Sequence, residues 1–197
     1  MKTLFGIFSS LLILACLAFT PSPTKTVVID LGHGGKDPGS QYQDLNEKDL
    51  VLSLVDKLKA STKGKDIKLI FTRTSDEFIS LNDRLSFIKE ANPDLVISLH
   101  VNHSANTEDQ GLEIFTATAN AAAKKSEILA QSLIKSFKEQ AIEAEIKNSE
   151  LFLLKNLDCP AALIELGYMS NSKDHAFISS DEGQNKIIEA ILNGVAN

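Results

Sequence analysis

Cysteine is scarce in this chain: Cys16 and Cys159 are the only two in 197 residues. Cys16 lies in the first apolar run, which leaves Cys159 alone in the remainder and excludes a disulfide framework within one mature chain. A basic excess is missing as well. Twenty Lys and Arg stand against 26 Asp and Glu, a formal charge of −6, which argues against a nucleic-acid binder with its basic patch or stripe. No internal repeat, low-complexity tract or long run of one charge sign is visible, so neither a repeat architecture nor a biased tail is indicated. What remains, 43% hydrophobic and 23% charged, is ordinary for one soluble domain large enough to bury a core.

A long hydrophobic run occurs at the start of the chain. Met1-Lys2 precedes apolar residues from Leu4 to Phe19, broken only by Gly6, Ser9 and Ser10, and no acid appears before Asp30. This pattern predicts an export signal over residues 1–18 with cleavage after Ala18, a linker over 19–25 and a working domain over 26–197. Leu12-Ile13-Leu14-Ala15-Cys16 also resembles a bacterial lipoprotein box, which would acylate Cys16, and an uncleaved membrane anchor is a third route. All three put the domain outside the cytoplasm, in the periplasm or cell envelope. Cys159, before Pro160 and an apolar run, reads as a small buried filler.

Strand and helix patterns then alternate. Val27 to Leu31 is a short β-branched run of the kind buried on both faces of a parallel sheet. A helix is expected over about Leu45–Ser61, with Leu50, Val51, Leu54, Val55 and Leu58 on one stripe. Further strands are expected at Ile67–Thr72, Asp94–Leu99 and Gly111–Thr116. Ser80-Leu81-Asn82-Asp83 has the form of a helix start, with Leu81, Leu85 and Ile88 inward. A long helix is expected over Ala122–Glu143, short strands at Leu151–Leu154 and Ala161–Leu166, and two closing helices. This order predicts an α/β fold: a single three-layer domain with a mostly parallel six-stranded sheet and helices on both faces.

Four residues stand out chemically. His33 follows strand one in Gly32-His33-Gly34-Gly35, and His100 ends strand three; right-handed crossovers put both at one sheet edge. Two imidazoles and a carboxylate form a common zinc set with a position left open for water. Glu47 falls on the apolar stripe of the first helix, where a carboxylate needs a cation to offset its desolvation; the alternative is a capping box with Asp44. Glu165, after an apolar strand and before Gly167, is either a group able to exchange a proton with a metal-bound water or an edge glutamate bonded to a turn amide. His103 and His175 read as solvated, and Arg73 and Arg84 as loop and helix anchors.

The motifs Val28-Ile29-Asp30-Leu31-Gly32-His33-Gly34-Gly35-Lys36-Asp37-Pro38-Gly39, Thr72-Arg73-Thr74, Leu81-Asn82-Asp83-Arg84, Ser98-Leu99-His100-Val101-Asn102 and Leu163-Ile164-Glu165-Leu166-Gly167-Tyr168-Met169-Ser170-Asn171 resemble those of the zinc-dependent N-acetylmuramoyl-L-alanine amidases, in order and spacing, across essentially the whole mature chain. The resemblance implies one Zn2+ held by His33, Glu47 and His100, with Glu165 as general base and acid toward a zinc-bound water. It implies peptidoglycan as substrate, cut between the lactyl group of N-acetylmuramic acid and L-alanine. Asn102 and His103 are candidates for substrate contact; the family often has a small residue where His103 stands. Some relatives insert an inhibitory helix where Thr116 to Ala122 is too short for one, so no obligatory activator is expected. Rival readings are another exported zinc hydrolase acting on stem peptides and a catalytically inert wall-binding module.

Overall fold

The computed structural model describes residues 24–196; the expected leader over 1–18, Cys16 and linker residues 19–23 lie outside them. Six strands form the main sheet: β1 (Lys25–Leu31), β4 (Ile67–Phe71), β5 (Leu95–Asn102), β6 (Leu112–Thr116), β7 (Ala144–Asn148) and β8 (Ala161–Tyr168), with β2 (Gln41–Tyr42) and β3 (Leu45–Asn46) making a small separate ribbon. The sheet order is β4-β1-β5-β8-β6-β7. Every pair is parallel except β6 with β8. The fold class expected from the alternating pattern is the one observed.

The layering follows from which side of each strand is apolar. α1 (Glu47–Ser61), α3 (Ala123–Glu139) and α6 (Asp181–Ala196) cover one face. There Leu50, Val51, Leu54 and Leu58 of α1, Leu133 and Phe137 of α3 and Ile187, Ile188 and Ile191 of α6 join Ile29, Leu31, Ile97 and Leu99 in the larger core. The opposite face is covered more thinly, by α2 (Leu81–Ala91) and the five-residue α4 (Phe152–Asn156), whose Ile88, Leu153 and Leu154 meet Val28, Val96 and Leu163. α5 (Ser172–Ser179) connects β8 to α6. Among the described residues no helix is long and apolar enough to cross a membrane.

Three expectations need correction. Leu151–Leu154 is not a strand; α4 occupies Phe152–Asn156, because a short apolar run has no periodicity to separate the two states. The sixth strand is instead Ala144–Asn148, just past the expected long helix over Ala122–Glu143, in a stretch assigned to no element. That helix stops at Glu139, and Ala141 takes a left-handed conformation (φ 58°) that no glycine announces. On α2 the inward positions are Arg84 and Ile88, while Leu81 is 53% exposed.

Candidate metal centre

β1 is flanked on both sides, by β4 and by β5, both parallel, and is buried from Val27 to Leu31. Its carboxyl end leads into Gly32, whose N–H donates to Leu99 O at 3.0 Å. A Cβ on Gly32 would collide with the His100 ring, so glycine is required for the two histidines to approach. His33 itself is left-handed, φ 58°, a conformation that costs a non-glycine residue roughly 1–2 kcal/mol. Gly39, also left-handed, passes so close to Glu47 Oε2 and the His33 ring that a side chain there would strike both.

Two arginines hold this turn open. Arg84, 3% exposed, reaches in from α2. Its Nη1 donates to Asp30 Oδ1 at 2.7 Å and also to Leu31 O, its Nη2 to His33 O at 2.6 Å, and its Nε to Ile79 O at 3.0 Å. Arg73 Nη2 donates to Gly32 O at 2.8 Å and to Lys48 O at 3.0 Å, tying β1's end to the start of α1. Asp30 in turn accepts from Thr72 Oγ1 and Ser98 Oγ. A buried ion pair is worth its desolvation only when its remaining hydrogen bonds are met, as here. The sequence signal was present: Asp30 interrupts an apolar strand, and Arg84 shares the α2 stripe with Ile88.

Glu47 is the first residue of α1 and 2% exposed. It does not cap its own helix. Its Oε2 accepts from the Ser40 N–H at 2.8 Å and lies 3.1 Å from His33 Nε2. Its Oε1 accepts from the Val101 N–H at 3.0 Å and lies 2.9 Å from His100 Nδ1. Burial opposes ionisation, but the contacts to His100 and His33 outweigh it and hold the carboxyl well below the usual carboxylate range. For His33, burial disfavours the charged ring, yet Glu47 and then Asp37 raise the imidazolium up to about 9. Asp37 Oδ2 meets His33 Nδ1 at 2.9 Å, the outer hydrogen bond that fixes ring orientation and leaves Nε2 facing Glu47.

His100 lies within β5, which continues to Asn102, and Glu165 lies within β8, which continues to Tyr168. The two are register partners, and Glu165 is in turn the partner of Glu113 on β6. In-register neighbours share a face, so His100, Glu165 and Glu113 form a row across three strands. Burial pushes the Glu165 carboxyl up to about 7; His100 opposes the rise, while Glu47 and Glu113 add to it. Glu165 Oε2 is buried with no hydrogen-bond partner. Glu113 accepts from Lys147 Nζ and Tyr168 OH, both at 2.6 Å, and from Asn102 Nδ2 at 3.3 Å. His103 is exposed beyond the strand. His175, read as solvated, is half-buried with its ring edge-on to Tyr42.

The structure therefore brings His33, Glu47 and His100 together, one ligand atom from each within 4.8 Å of the others. The donor chemistry fits a divalent cation. The carboxylate is dry and ionised, the two rings face it, and a buried carboxyl atom on the adjoining strand lacks a donor. A cation held there would sit beside a neutral-range acid, the pairing hydrolytic metal sites use.

A profile of the N-acetylmuramoyl-L-alanine amidase family, Amidase_3, matches residues 27–197. The chain is 32% identical to YqiI of Bacillus subtilis (strain 168) over 182 residues, 90% of this chain and 86% of that one. It is 31% identical to the endolysin of Bacillus phage SPP1 over 179 residues, 88% of this chain but 65% of the endolysin. Among solved structures, the N-acetylmuramoyl-L-alanine amidase from Clostridium difficile 630 superposes with a TM-score of 0.80 at 30% identity, covering 88% of this chain and 96% of that one.

Proposed function

Because the chain belongs to the N-acetylmuramoyl-L-alanine amidase family, we propose that it is a zinc hydrolase acting on peptidoglycan. The bond cut is the amide between the lactyl group of N-acetylmuramic acid and L-alanine. The observation that carries this reading is the convergence of His33, Glu47 and His100, within 4.8 Å at the ligand atoms, beside Glu165.

His33, Glu47 and His100 would hold the ion. When bound, zinc acts as a Lewis acid that acidifies water and polarises a carbonyl. Glu165, with a carboxyl near 7, accepts a proton from the attacking water and returns it to the departing amine, as a group with a pKa close to the working pH can. Asp37 orients His33, and Arg84 and Arg73 keep the turn that carries it. Asn102, half-buried on the polar side, and exposed His103 are the substrate contacts we assign.

We further propose that residues 1–18 are an export signal, with Cys16 as an alternative lipid anchor, that 19–25 are a linker, and that 26–197 form the catalytic domain acting in the cell envelope. Residues 117–122 join β6 to α3 directly, which supports an enzyme that needs no activator. Incubating the purified protein with muropeptides, with and without a chelator, tests the reading. Release of peptides with a free L-alanine amine from intact lactyl sugars, abolished by chelation and restored by zinc, is expected. Cleavage within the stem peptide, or none, counts against it.

A further inference from the structure

The thin cover on the α2–α4 face leaves a cleft of about 350 Å³ running up to the histidines. Phe78, Ile79 and Leu81 form one wall, Leu151 and Phe152 the other, with Leu163 of β8 among its lining residues; His33 and His100 line it too. Phe78 (46% exposed), Leu81 (53%) and Phe152 (37%) present large apolar surface to solvent. Soluble proteins rarely spend such a cluster without a ligand, and a concave apolar site of this size is in the range of small-molecule pockets. The buried polar groups behind it, Asp30, Arg84 and Ser98, already satisfy one another.

The other end of the row of functional groups is different in kind. Past Glu165 lie Glu113 on β6 and Lys147 on β7, Lys147 paired with both Glu113 and Glu145, while Tyr168 of β8 and Asn102 of β5 donate to Glu113. One end of the site is thus mainly apolar and aromatic, with Asp37 at its margin and Lys36 Nζ 4.5 Å from the Phe78 ring centroid, and the other is ionic.

Resting on the amidase reading above, we propose that this cleft is the glycan subsite and fixes the direction in which substrate binds. The scissile amide separates two chemistries. On its acyl side is a neutral N-acetylated sugar, whose C–H faces and acetyl methyl suit flat aromatic rings and apolar walls. On its amine side is a peptide bearing carboxylates, which an apolar cleft would desolvate without compensation. The sugar therefore lies between Phe78 and Phe152, and the stem peptide leads away over β8 toward Lys147 and Tyr168.

The test uses the zinc-loaded full chain, a peptide-free disaccharide of N-acetylglucosamine and N-acetylmuramic acid, and the free stem tripeptide. The variant is Phe78→Ser/Phe152→Ser; both rings are partly in solvent, and an unchanged Tm confirms folding. The disaccharide should bind wild type by calorimetry. In the variant its Kd and the KM for muropeptide should rise about tenfold, as loss of aromatic anchors does, with inhibition by the tripeptide unchanged. The proposal is overturned if wild type does not bind the disaccharide, if the variant binds it equally well, or if the variant loses tripeptide inhibition instead. Aromatic-dependent sugar binding without hydrolysis would sink the amidase reading and leave the subsite. Hydrolysis with unchanged sugar binding in the variant would do the reverse.

Discussion

Glu165 faces His100 across the β5–β8 ladder as its register partner. A candidate proton carrier and a candidate ligand are thus fixed to each other by backbone hydrogen bonds and not by flexible loops. Sites built on strands hold their geometry better than sites on loops, and removing either side chain should leave the other in place.

Glu165→Gln is expected to keep zinc stoichiometry and Tm while kcat falls by about 10²–10⁴, the usual contribution of a general acid–base group. Metal analysis beside muropeptide turnover checks this. Near-normal turnover would remove Glu165 from the mechanism.

Glu47→Gln should behave differently. The carboxylate accepts from the Ser40 and Val101 amides as well as facing both histidines, so the amide substitution also disturbs buried backbone donors. We expect zinc affinity to fall at least tenfold, and metal-free stability to drop by about 1–3 kcal/mol. Zinc titration and urea unfolding separate the two effects; intact affinity would exclude Glu47 as a ligand.

The pH dependence of the metal-free protein follows from His33. Its pKa is raised in the folded state, from 6.5 to about 9. A raised pKa means the folded state binds the proton more tightly than the unfolded chain. The associated stability is fully present below pH 6.5 and is lost as pH climbs through 9. Tm of the chelated protein should therefore decline across that window. Zinc must displace the same proton, so zinc affinity should rise over the same range. Parallel trends in the two measurements would contradict the shared site.

Arg84→Met leaves Asp30, 1% exposed, without its cation. Breaking a buried pair from one side costs about 3–5 kcal/mol. Thermal unfolding should show this loss, and adding Asp30→Asn should recover part of it. A double variant no more stable than Arg84→Met would show that Arg84 acts through its carbonyl contacts to Leu31 and His33 instead.

Much of the molecule was legible in the linear chain. The apolar strands, the α1 stripe with Glu47 on it and the glycines flanking His33 are local patterns, and burial on one face leaves a periodic trace. Where no such trace exists the reading failed. Ala144–Asn148 carries two charged residues at a sheet edge, and its helix-forming composition hid a strand whose pairing with β6 decides its state. Leu151–Leu154 is too short for any period to show.

Residue type alone determined which atoms were available for chemistry: two imidazoles, two carboxyls on apolar segments, and a glycine-rich turn. Only tertiary structure decided that they meet. Strand order puts β1 beside β5 and β5 beside β8, register sets Glu165 opposite His100, and Arg84 locks a left-handed His33. The physical reason is range: periodicity records what a residue's own segment buries, whereas strand order and register arise from packing between segments distant in the chain.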